Sequence, residues 1–404
     1  MSVDAHAGTA DLKRQAAATV EAQRELIVGI SHALHADPET GWSEHRSAAL
    51  LVDALRTLGM DVTTGVAGLP TAFVASAGSG SRRIALVAEY DALAGLGHAC
   101  GHNVIAASAV GAASALIPLT EPLDLTVTVV GTPAEEGGGG KILLLDAGVF
   151  DDIELAMMVH PGPTDAGYAR PLAVAHFDVA YRGHESHASA FPTLGINAAD
   201  AFTVAQVAIG LLRQQLPTTV RVHGVVREAG TAPNAIPGHS RGSWYVRAES
   251  LEQLDHAFER VVACFRAGAL ATGCAVEIEE TSPRYSEFHN DEQLLASFAA
   301  NAAARGRDMD LREERPAGMN TASTDMGNVS RVLRAIHPYL GIDSLPAVNH
   351  QSAFADAAAR PPADLAAVDG AVLMAQTVID ALRDGPRCAP RPEPELEHSH
   401  ADAR

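Results

Sequence analysis

The segment from Arg83 to Val130 decides the fold and reads RIALVAEYDALAGLGHACGHNVIAASAVGAASALIPLTEPLDLTVTVV. It begins with a short apolar run rich in strand formers, 83–88, and ends with a similar run, 125–130. Between them, the small-residue segment 105–117 has the pattern of a helix. This strand–helix–strand order predicts an α/β fold with a mostly parallel sheet. Such sheets form binding sites at the carboxyl ends of their strands, and polar residues directly follow both runs.

A second unit runs from about Leu172 to about Glu280 and has a different pattern. Its periodicity predicts the order strand, helix, strand, strand, helix, strand, over residues 173–182, 197–215, 219–227, 239–248, 250–269 and 274–280. That order is the ferredoxin-like βαββαβ arrangement. We therefore expect a small domain inserted into a larger one, with the inserted domain at 172–282 and the larger domain formed by 1–171 and 283–386.

The two ends of the chain are predicted to be tails. Apolar residues at helical spacing begin at Leu26, and Gly59 is placed to end the second helix of that region. About the first 15 residues show no such spacing. The final segment, 387–404, is rich in Pro, Glu and His, and we expect it to be disordered. Its histidines, His398 and His400, would at most bind a stray metal ion.

The composition excludes several classes of protein. The 404 residues correspond to about two or three domains, and the net charge of −20 argues against nucleic-acid binding, which requires a basic surface. Four cysteines are too few and too scattered for a disulfide framework. We identify no apolar run of the ~18 residues that span a membrane and no signal peptide, so we expect a cytoplasmic protein without membrane association.

The first group of chemically reactive residues follows the first strand. The segment GHACGHN, 97–103, holds two histidines and a cysteine on a turn flanked by glycines, and EYD, 89–91, comes just before it. Cysteine and histidine are the usual ligands of metals such as Zn²⁺. The alternative is a buried cysteine beside incidental loop histidines. The spacing is not that of a zinc finger, because no second Cys/His pair follows at the required distance.

The second group is GTPAEEGGGG, 131–140, which follows the second strand. Glu135 and Glu136 are adjacent, so their side chains point in different directions, and one can bind metal while the other transfers a proton. The glycine run allows close approach of the backbone. A phosphate-binding loop is the alternative, but the acidic pair and the missing Gly-Lys-Ser/Thr ending disfavour it. An ordinary surface turn does not suit an apolar strand that runs into two glutamates.

Two further segments each contain a histidine, and only one of these histidines is a candidate from its position. His160 ends the apolar run LAMMVH, 155–160, where a ligand at a strand terminus would lie. A core histidine is the alternative. His350, in NHQSAF, follows a loop and carries no signal by itself.

Together these segments resemble peptidase family M20, whose members are two-metal peptidases and amidohydrolases. The likeness is greatest to the branch of aminobenzoyl-glutamate, auxin-conjugate and N-acyl amino acid amidohydrolases. GHACGHN, GTPAEEGGGG and HPG occur in the family's order, with 34 residues from His102 to Glu136 and 24 from Glu136 to His160. The resemblance covers about residues 25–385. It implies a mostly parallel catalytic core with an inserted ferredoxin-like lid or dimerisation domain.

The resemblance also implies a set of metal ligands. Cys100 would bridge two divalent ions, Zn²⁺ or Mn²⁺, through its thiolate. The remaining ligands would be His102, Glu136, His160 and His350. Glu135 would be the general base, and Asp91 would orient a ligand histidine.

Further matching positions imply how substrate is bound. His187, in GHESHA, would reach the active site of a neighbouring subunit and bind the scissile carbonyl, which implies a homodimer formed by the inserted domains. Asn234, in APNAIP, and Arg247, 13 residues later, match the family's substrate-binding positions. The segment 323–328 matches one that lines the family's site.

The implied activity is hydrolysis of the amide bond of N-acyl or N-aminoacyl amino acids by metal-activated water. Arg247 favours a small substrate with a carboxylate, because arginine binds carboxylates through two parallel hydrogen bonds. One alternative is an inactive homologue that serves as a binding or hetero-oligomer subunit. Another is a thiol enzyme built on Cys100, which would need a resolving cysteine, and the nearest, Cys264, lies in the other predicted domain.

Overall fold

The computed structural model of the chain describes residues 8–312 and 321–384. The helices are α1 (Thr9–Ala22), α2 (Arg24–Ala36), α3 (His45–Thr57), α4 (His102–Leu116), α5 (Gly140–Asp146), α6 (Ala198–Leu212), α7 (Leu251–Thr272), α8 (Glu292–Ala304), α9 (Met326–Val332), α10 (Ser352–Ala357) and α11 (Pro361–Asp384). The strands are β1 (Asp61–Thr64), β2 (Phe73–Ala77), β3 (Arg82–Glu89), β4 (Leu125–Thr132), β5 (Leu155–Met157), β6 (His160–Gly162), β7 (Ala173–Arg182), β8 (Ser186–His187), β9 (Arg221–Glu228), β10 (Ala235–Ile236), β11 (His239–Ala248), β12 (Ala275–Glu280), β13 (Arg334–Ile336) and β14 (Tyr339–Gly341).

The larger sheet has six strands in the order β1-β2-β4-β3-β5-β13. Strand β3 is parallel to both β4 and β5, and β13 is parallel to β5, whereas β1 and β2 form an antiparallel edge. The two apolar runs at the ends of segment 83–130 therefore form adjacent parallel strands, β3 and β4. The prediction of an α/β fold with a mostly parallel sheet is confirmed.

The apolar character of β3 follows from burial on both faces of the sheet. Ile84 and Leu86 belong to one core, which they share with α4 and α11, whereas Ala85 and Val87 belong to a second core with residues of α5 and α9. Successive side chains of a strand point to opposite faces, so a strand covered on both faces becomes continuously apolar.

Two helices contradict the expectation that no apolar run is long enough to span a membrane. His102–Leu119 and Pro361–Arg383 are long and apolar enough to cross a membrane by length and composition. However, 89% and 78% of these segments are buried inside the protein. Their apolar surfaces pack against each other and against the sheet in the first core, so they are accounted for as core helices of the fold.

The prediction of an N-terminal tail of about 15 residues was also wrong. Helix α1 begins at Thr9, and Leu12, Ala16 and Val20 along one face are fully buried in the first core. Lys13 forms an ion pair with Asp380 of α11 at 2.8 Å. Three apolar residues, one of them an alanine, are a weak periodic signal. Helix α11, which α1 contacts through Lys13 and Asp380, lies at the other end of the chain. The predicted C-terminal tail, with its two histidines, lies outside the described residues.

The second unit forms a four-stranded antiparallel sheet in the order β12-β7-β11-β9, with α6 and α7 on one face. Alternate residues of β7, among them Phe177 and Tyr181, pack into the same core as Phe258 and Phe265 of α7. All six predicted elements are present, and the βαββαβ order is confirmed. The domain boundaries and the role of this unit as a lid remain predictions.

The parallel pairing of β3 and β4 brings two loops together. Glu89, the last residue of β3, is paired with Thr132, the last residue of β4. The loops that follow carry GHACGHN and EEGGGG, so segments more than 30 residues apart in sequence leave the sheet side by side.

Candidate active site

Cys100 and His102 lie at the start of α4, on either side of Gly101. Gly101 has a φ of +82°, and a Cβ at this position would lie 2.4 Å from Cγ of Pro161. Glycine is therefore required both for the backbone conformation and for the close approach of the segment that carries His160. The prediction that this segment forms a tight turn after β3 is confirmed.

Asp91 orients the residues of both loops. Its Oδ1 lies 3.0 Å from Nδ1 of His102, and its Oδ2 accepts a hydrogen bond from the backbone N–H of Glu136 at 3.0 Å. With Nδ1 bound to a carboxylate, the Nε2 atom of His102 faces the interior of the site. Asp91 therefore contacts His102, the histidine that the resemblance implies as a ligand, and its role in orienting that ligand remains a prediction.

The glycine run folds back tightly behind Glu135 and Glu136. A Cβ on Gly140 would lie 2.0 Å from the carbonyl oxygen of Pro133, and one on Gly138 would lie 2.6 Å from Cβ of Ala134. Larger residues would push the loop outward and move both carboxylates. The expected close approach of the backbone is therefore observed at these two positions.

His160 and His350 come to the same site from different parts of the chain. Nε2 of His160 lies 3.6 Å from Sγ of Cys100, while its Nδ1 lies 2.8 Å from the carbonyl oxygen of Pro161. His350 has a φ of +67°, and its Nε2 lies 3.4 Å from Oε1 of Glu136. The side-chain amide of Asn349 donates to the carbonyl oxygens of Cys100 and Pro161, which ties this turn to both loops.

The donor atoms form sets that suit divalent cations. Cys100, His102 and His160 form one set, and Cys100, Glu136 and His350 form another, with the donor atoms of each set within 4.8 Å of one another. The two sets share the Cys100 sulfur. Nε2 of His102 and Oε1 of Glu136 are buried without a hydrogen bond to any described residue, which would be costly unless a ligand completes them. The residues present therefore fit a pair of metal ions.

The electrostatics of the site follow from its burial. Burial raises the pKa of Glu135 well above its ordinary value, and the neighbouring carboxylates of Glu89 and Glu136 raise it further. A carboxylate with an increased proton affinity is suited to general-base catalysis near neutral pH. Burial also raises the pKa of the Cys100 thiol, so a nearby cation is needed to form the thiolate, and it lowers the pKa of His160, which stays neutral.

A cavity of about 320 Å³ opens directly onto these residues. Its lining includes the predicted site residues Cys100, Glu135, Glu136, His160 and His350. It also includes Arg247, His176 and Tyr245 of the second unit, together with Ser323 and Thr324. The segment 323–328, predicted to line the site, does so through these first two residues.

Arg247 is a half-buried cation that faces the cavity without a carboxylate partner. Its Nη1 donates to Oγ of Ser323 at 2.5 Å, and its Nε donates to Nε2 of His223 at 3.3 Å. Within residues 8–312 and 321–384, no carboxylate lies within ion-pair distance of the guanidinium group. A half-buried guanidinium group without a carboxylate partner is suited to binding an anion.

His187 and Asn234 lie together but not at this cavity. Both are exposed and belong to the second unit, where β8 pairs with β10 and the N–H of Ala188 donates to the carbonyl oxygen of Asn234. Nδ1 of His187 accepts hydrogen bonds from the N–H groups of Ser189 and Ala190, so Nε2 carries the proton and points away from this loop as a donor. Within one chain, these two predicted residues are separate from the remaining site.

Three buried residues at the site were not predicted. Glu89 ends β3, and its Oε2 lies 3.5 Å from Nε2 of His102. Lys141, in the first turn of α5, is fully buried beside Glu89. His337 follows β13 and lines the cavity, and neither of its ring nitrogens has a hydrogen bond to a described residue. Glu89 is the last residue of a strand of the parallel sheet, and His337 follows another. The rule that sites form at the carboxyl ends of such strands would have identified both residues. Lys141 has no such signal.

The thiol-enzyme alternative is not supported. Cys100, Cys264 and Cys274 are all free thiols, and Cys264 lies on α7 in the core of the second unit. No resolving cysteine lies beside Cys100 among the described residues.

Comparison with known proteins agrees with this geometry. The model of peptidase family M20/M25/M40 matches residues 60–363, which include all the predicted site residues. The chain belongs to peptidase family M20. It is therefore a metal-dependent hydrolase of amide bonds, and the resemblance proposed from the motifs is confirmed.

Relatives within the M20 family act on dipeptides and N-acyl amino acids. The Xaa-Arg dipeptidase of Mus musculus is 38% identical over 385 residues, which cover 92% of this chain and 89% of the relative. One of the two p-aminobenzoyl-glutamate hydrolase chains of Escherichia coli is 34% identical over 280 residues, covering 64% of this chain and 58% of the relative. A Bacillus subtilis structure described as a dinuclear metal binding peptidase from the M20 family has the same fold, with a TM-score of 0.66, 21% identity and coverage of 90% and 99%.

Proposed function

We propose that this M20 hydrolase cleaves dipeptides or N-acyl amino acids whose leaving amino acid has a free carboxylate. The unpaired guanidinium of Arg247, on the same cavity as Glu135, carries this proposal. The similarity to the mouse Xaa-Arg dipeptidase supports dipeptides with a basic second residue as the first class to examine. The net charge of −20 favours the approach of such cationic substrates.

Two divalent ions would be held by the two donor sets that share Cys100, with His102 and His160 in one set and Glu136 and His350 in the other. When bound, such ions supply a nucleophilic water and stabilise negative charge on the amide oxygen. The thiolate of Cys100, shared by both sets, would favour Zn²⁺, although Mn²⁺ would also fit the nitrogen and oxygen donors.

The side chains of the protein would perform the remaining chemistry. The carboxylate of Glu135 accepts a proton from the attacking water and delivers it to the nitrogen of the leaving amine. The hydroxyl of Tyr285 donates to the backbone carbonyl of Glu135 at 2.8 Å, which holds this residue in position. Asp91 keeps His102 and Glu136 in place, and Arg247 orients the substrate through its carboxylate.

A screen of N-acyl amino acids and dipeptides by mass spectrometry would test this function. The full chain, loaded with metal and with its metal content measured in parallel, is expected to release free amino acids from one of these classes. A metal-loaded chain that cleaves no member of a broad amide panel would favour the inactive-homologue alternative instead. The complete set of donors at the site does not favour that alternative.

Arg247→Met is expected to raise KM for substrates with a free carboxylate by about 10-fold to 100-fold, because a charged hydrogen-bonding pair contributes about 1.5–3 kcal/mol. The same substrates with an amidated carboxyl group serve as the matched control. For these, the variant and the wild-type chain should have similar kcat/KM values. Equal losses on the acid and the amide would mean that Arg247 does not recognise the carboxylate.

We also propose that the chain forms a homodimer through the second unit. Strand β9 is an edge strand of the four-stranded sheet, and Val225 on this strand is 55% exposed. On neighbouring α6, Val207 and Leu211 are 60% and 62% exposed. An unpaired edge beside exposed apolar side chains suits a second copy of the same surface. In such a dimer, Nε2 of His187 would act as a hydrogen-bond donor to the substrate in the partner's cavity.

Mixing two inactive variants, Glu135→Gln and His187→Ala, tests whether sites are shared between subunits. If His187 serves the partner's site, each mixed dimer has one site with both defects and one intact site. Random exchange of subunits should then restore about a quarter of wild-type activity. The measurement is turnover before and after exchange, with exchange verified by mass spectrometry of differently tagged chains. Exchange without recovery would mean that His187 serves its own chain or no site.

A cytoplasmic location is part of the same proposal. The free thiols of Cys100, Cys264 and Cys274 support a reducing compartment.

A further inference from the structure

Lys141 is a fully buried ammonium group placed between two carboxylates. Its Nζ lies 2.6 Å from Oε1 of Glu89 and 2.5 Å from Oδ1 of Asp325. The backbone N–H of Lys141 also donates to Oδ2 of Asp325 at 2.9 Å. A lysine without solvent exposure is rare and requires such partners. Because Asp325 binds both the ammonium group and the backbone, the side chain is held in one position.

Glu89 is a potential metal ligand that competes with the predicted set. Carboxylate oxygens of Glu89 and Glu135 and a ring nitrogen of His102 lie within 4.8 Å of one another, so these residues form a third possible donor set. His102 has one nitrogen available, because Nδ1 is bound to Asp91. This nitrogen cannot serve the Glu89 set and the Cys100 set at the same time. A metal ion in the Glu89 set would also occupy the general base, Glu135.

We propose that Lys141 is a positioning residue that keeps Glu89 out of metal coordination, so that His102 serves the Cys100 set and Glu135 remains free to transfer protons. The proposal rests on the metal sites of the proposed function. Oε1 of Glu89 lies 2.6 Å from the buried ammonium group, whereas Oε2 faces Nε2 of His102 at 3.5 Å. The ammonium group compensates the charge of the carboxylate and so reduces its attraction for a second cation. Asp325 prevents the ammonium group from moving away when a metal ion approaches.

The first test compares Glu89→Gln with Glu136→Gln in the full-length chain. Elemental analysis after equilibration with limiting Zn²⁺ should find two ions per chain in Glu89→Gln, as in the wild type, because Glu89 is not a ligand. Glu136→Gln should lose an ion. Loss of an ion in Glu89→Gln as well would identify Glu89 as a ligand and overturn the proposal. A wild-type chain without metal would instead refute the proposed function itself.

The second test frees Glu89 by Lys141→Met. With Co²⁺ as the probe, the thiolate-to-cobalt absorption reports whether Cys100 is a ligand. We expect this absorption to weaken, because part of the bound Co²⁺ then occupies the Glu89 set, which lacks Cys100. The double variant Lys141→Met/Glu89→Gln should restore the absorption, since the competing carboxylate is then absent.

Two results would contradict this role of Lys141. Unchanged absorption in folded Lys141→Met would mean that Lys141 only balances charge. A double variant that is folded, as judged by circular dichroism, but has the same defect as Lys141→Met would mean that Glu89 is not the competing group. If Lys141→Met does not fold, the Glu89→Gln comparison and the double variant still decide the question.

Discussion

Glu135→Gln is expected to lower kcat by about 100-fold or more while both metal sites stay filled, because general-base catalysis contributes about 10²–10⁴-fold. Glutamine has the same shape but cannot accept the proton of the attacking water. The residue lies on the cavity wall, within 3.8 Å of Nε2 of His102, and its backbone is held by Tyr285. Steady-state kinetics on the best substrate from the screen, with metal content measured on the same sample, provide the test.

Glu136→Gln is the matched control for this prediction. Glu136 is adjacent in sequence and carries the same functional group, but its Oε1 faces His350 at 3.4 Å in the second donor set. We expect this variant to lose metal together with activity, and excess metal should restore part of both. If the two variants lose metal equally, the division of roles between these glutamates is wrong.

Removal of metal is expected to abolish turnover entirely, since the nucleophilic water depends on the bound ions. Exhaustive dialysis against a chelator should release two ions per chain, in line with the two donor sets that share Cys100. Return of Zn²⁺ or Mn²⁺ should restore activity, and the better of the two identifies the preferred ion. A chain that remains active without detectable metal would refute the assignment.

Cys100→Ser tests the residue that the two donor sets share. Serine is nearly isosteric with cysteine but is a poorer ligand for Zn²⁺, so metal affinity and activity should fall while the fold is retained. The thermal unfolding midpoint, measured without metal, should change little in this variant. Unfolding of Cys100→Ser in the absence of metal would indicate that Cys100 serves mainly in packing.

Most of the fold could be predicted because its signals are local. Successive side chains of β3 and β4 point to opposite faces of the sheet, and both faces are buried, so these strands are continuously apolar. The apolar face of α7, which includes Phe258 and Phe265, has a clear helical period. The N-terminal helix was missed because its stripe depends on Leu12 and two smaller residues. The buried helices α4 and α11 reach the hydropathy of membrane spans because they are covered on nearly all sides.

The sequence by itself determined the family, the order of the elements and the residues whose roles depend on short motifs. Cys100 and His102 share one turn, and Glu135 and Glu136 share another, so their proximity is a consequence of local geometry. Because parallel strands end at the same edge of a sheet, the two turns could also be expected to meet.

Only the tertiary structure decided which distant groups complete the site. Glu89, Lys141 and Asp325 are separated by 52 and 184 residues along the chain, and nothing local to any of them indicates the others. Arg247 likewise meets Ser323 only through the packing of the second unit against the first. The physical reason is that a buried charge must find its partner in space, and the path of the whole chain determines which partner is there.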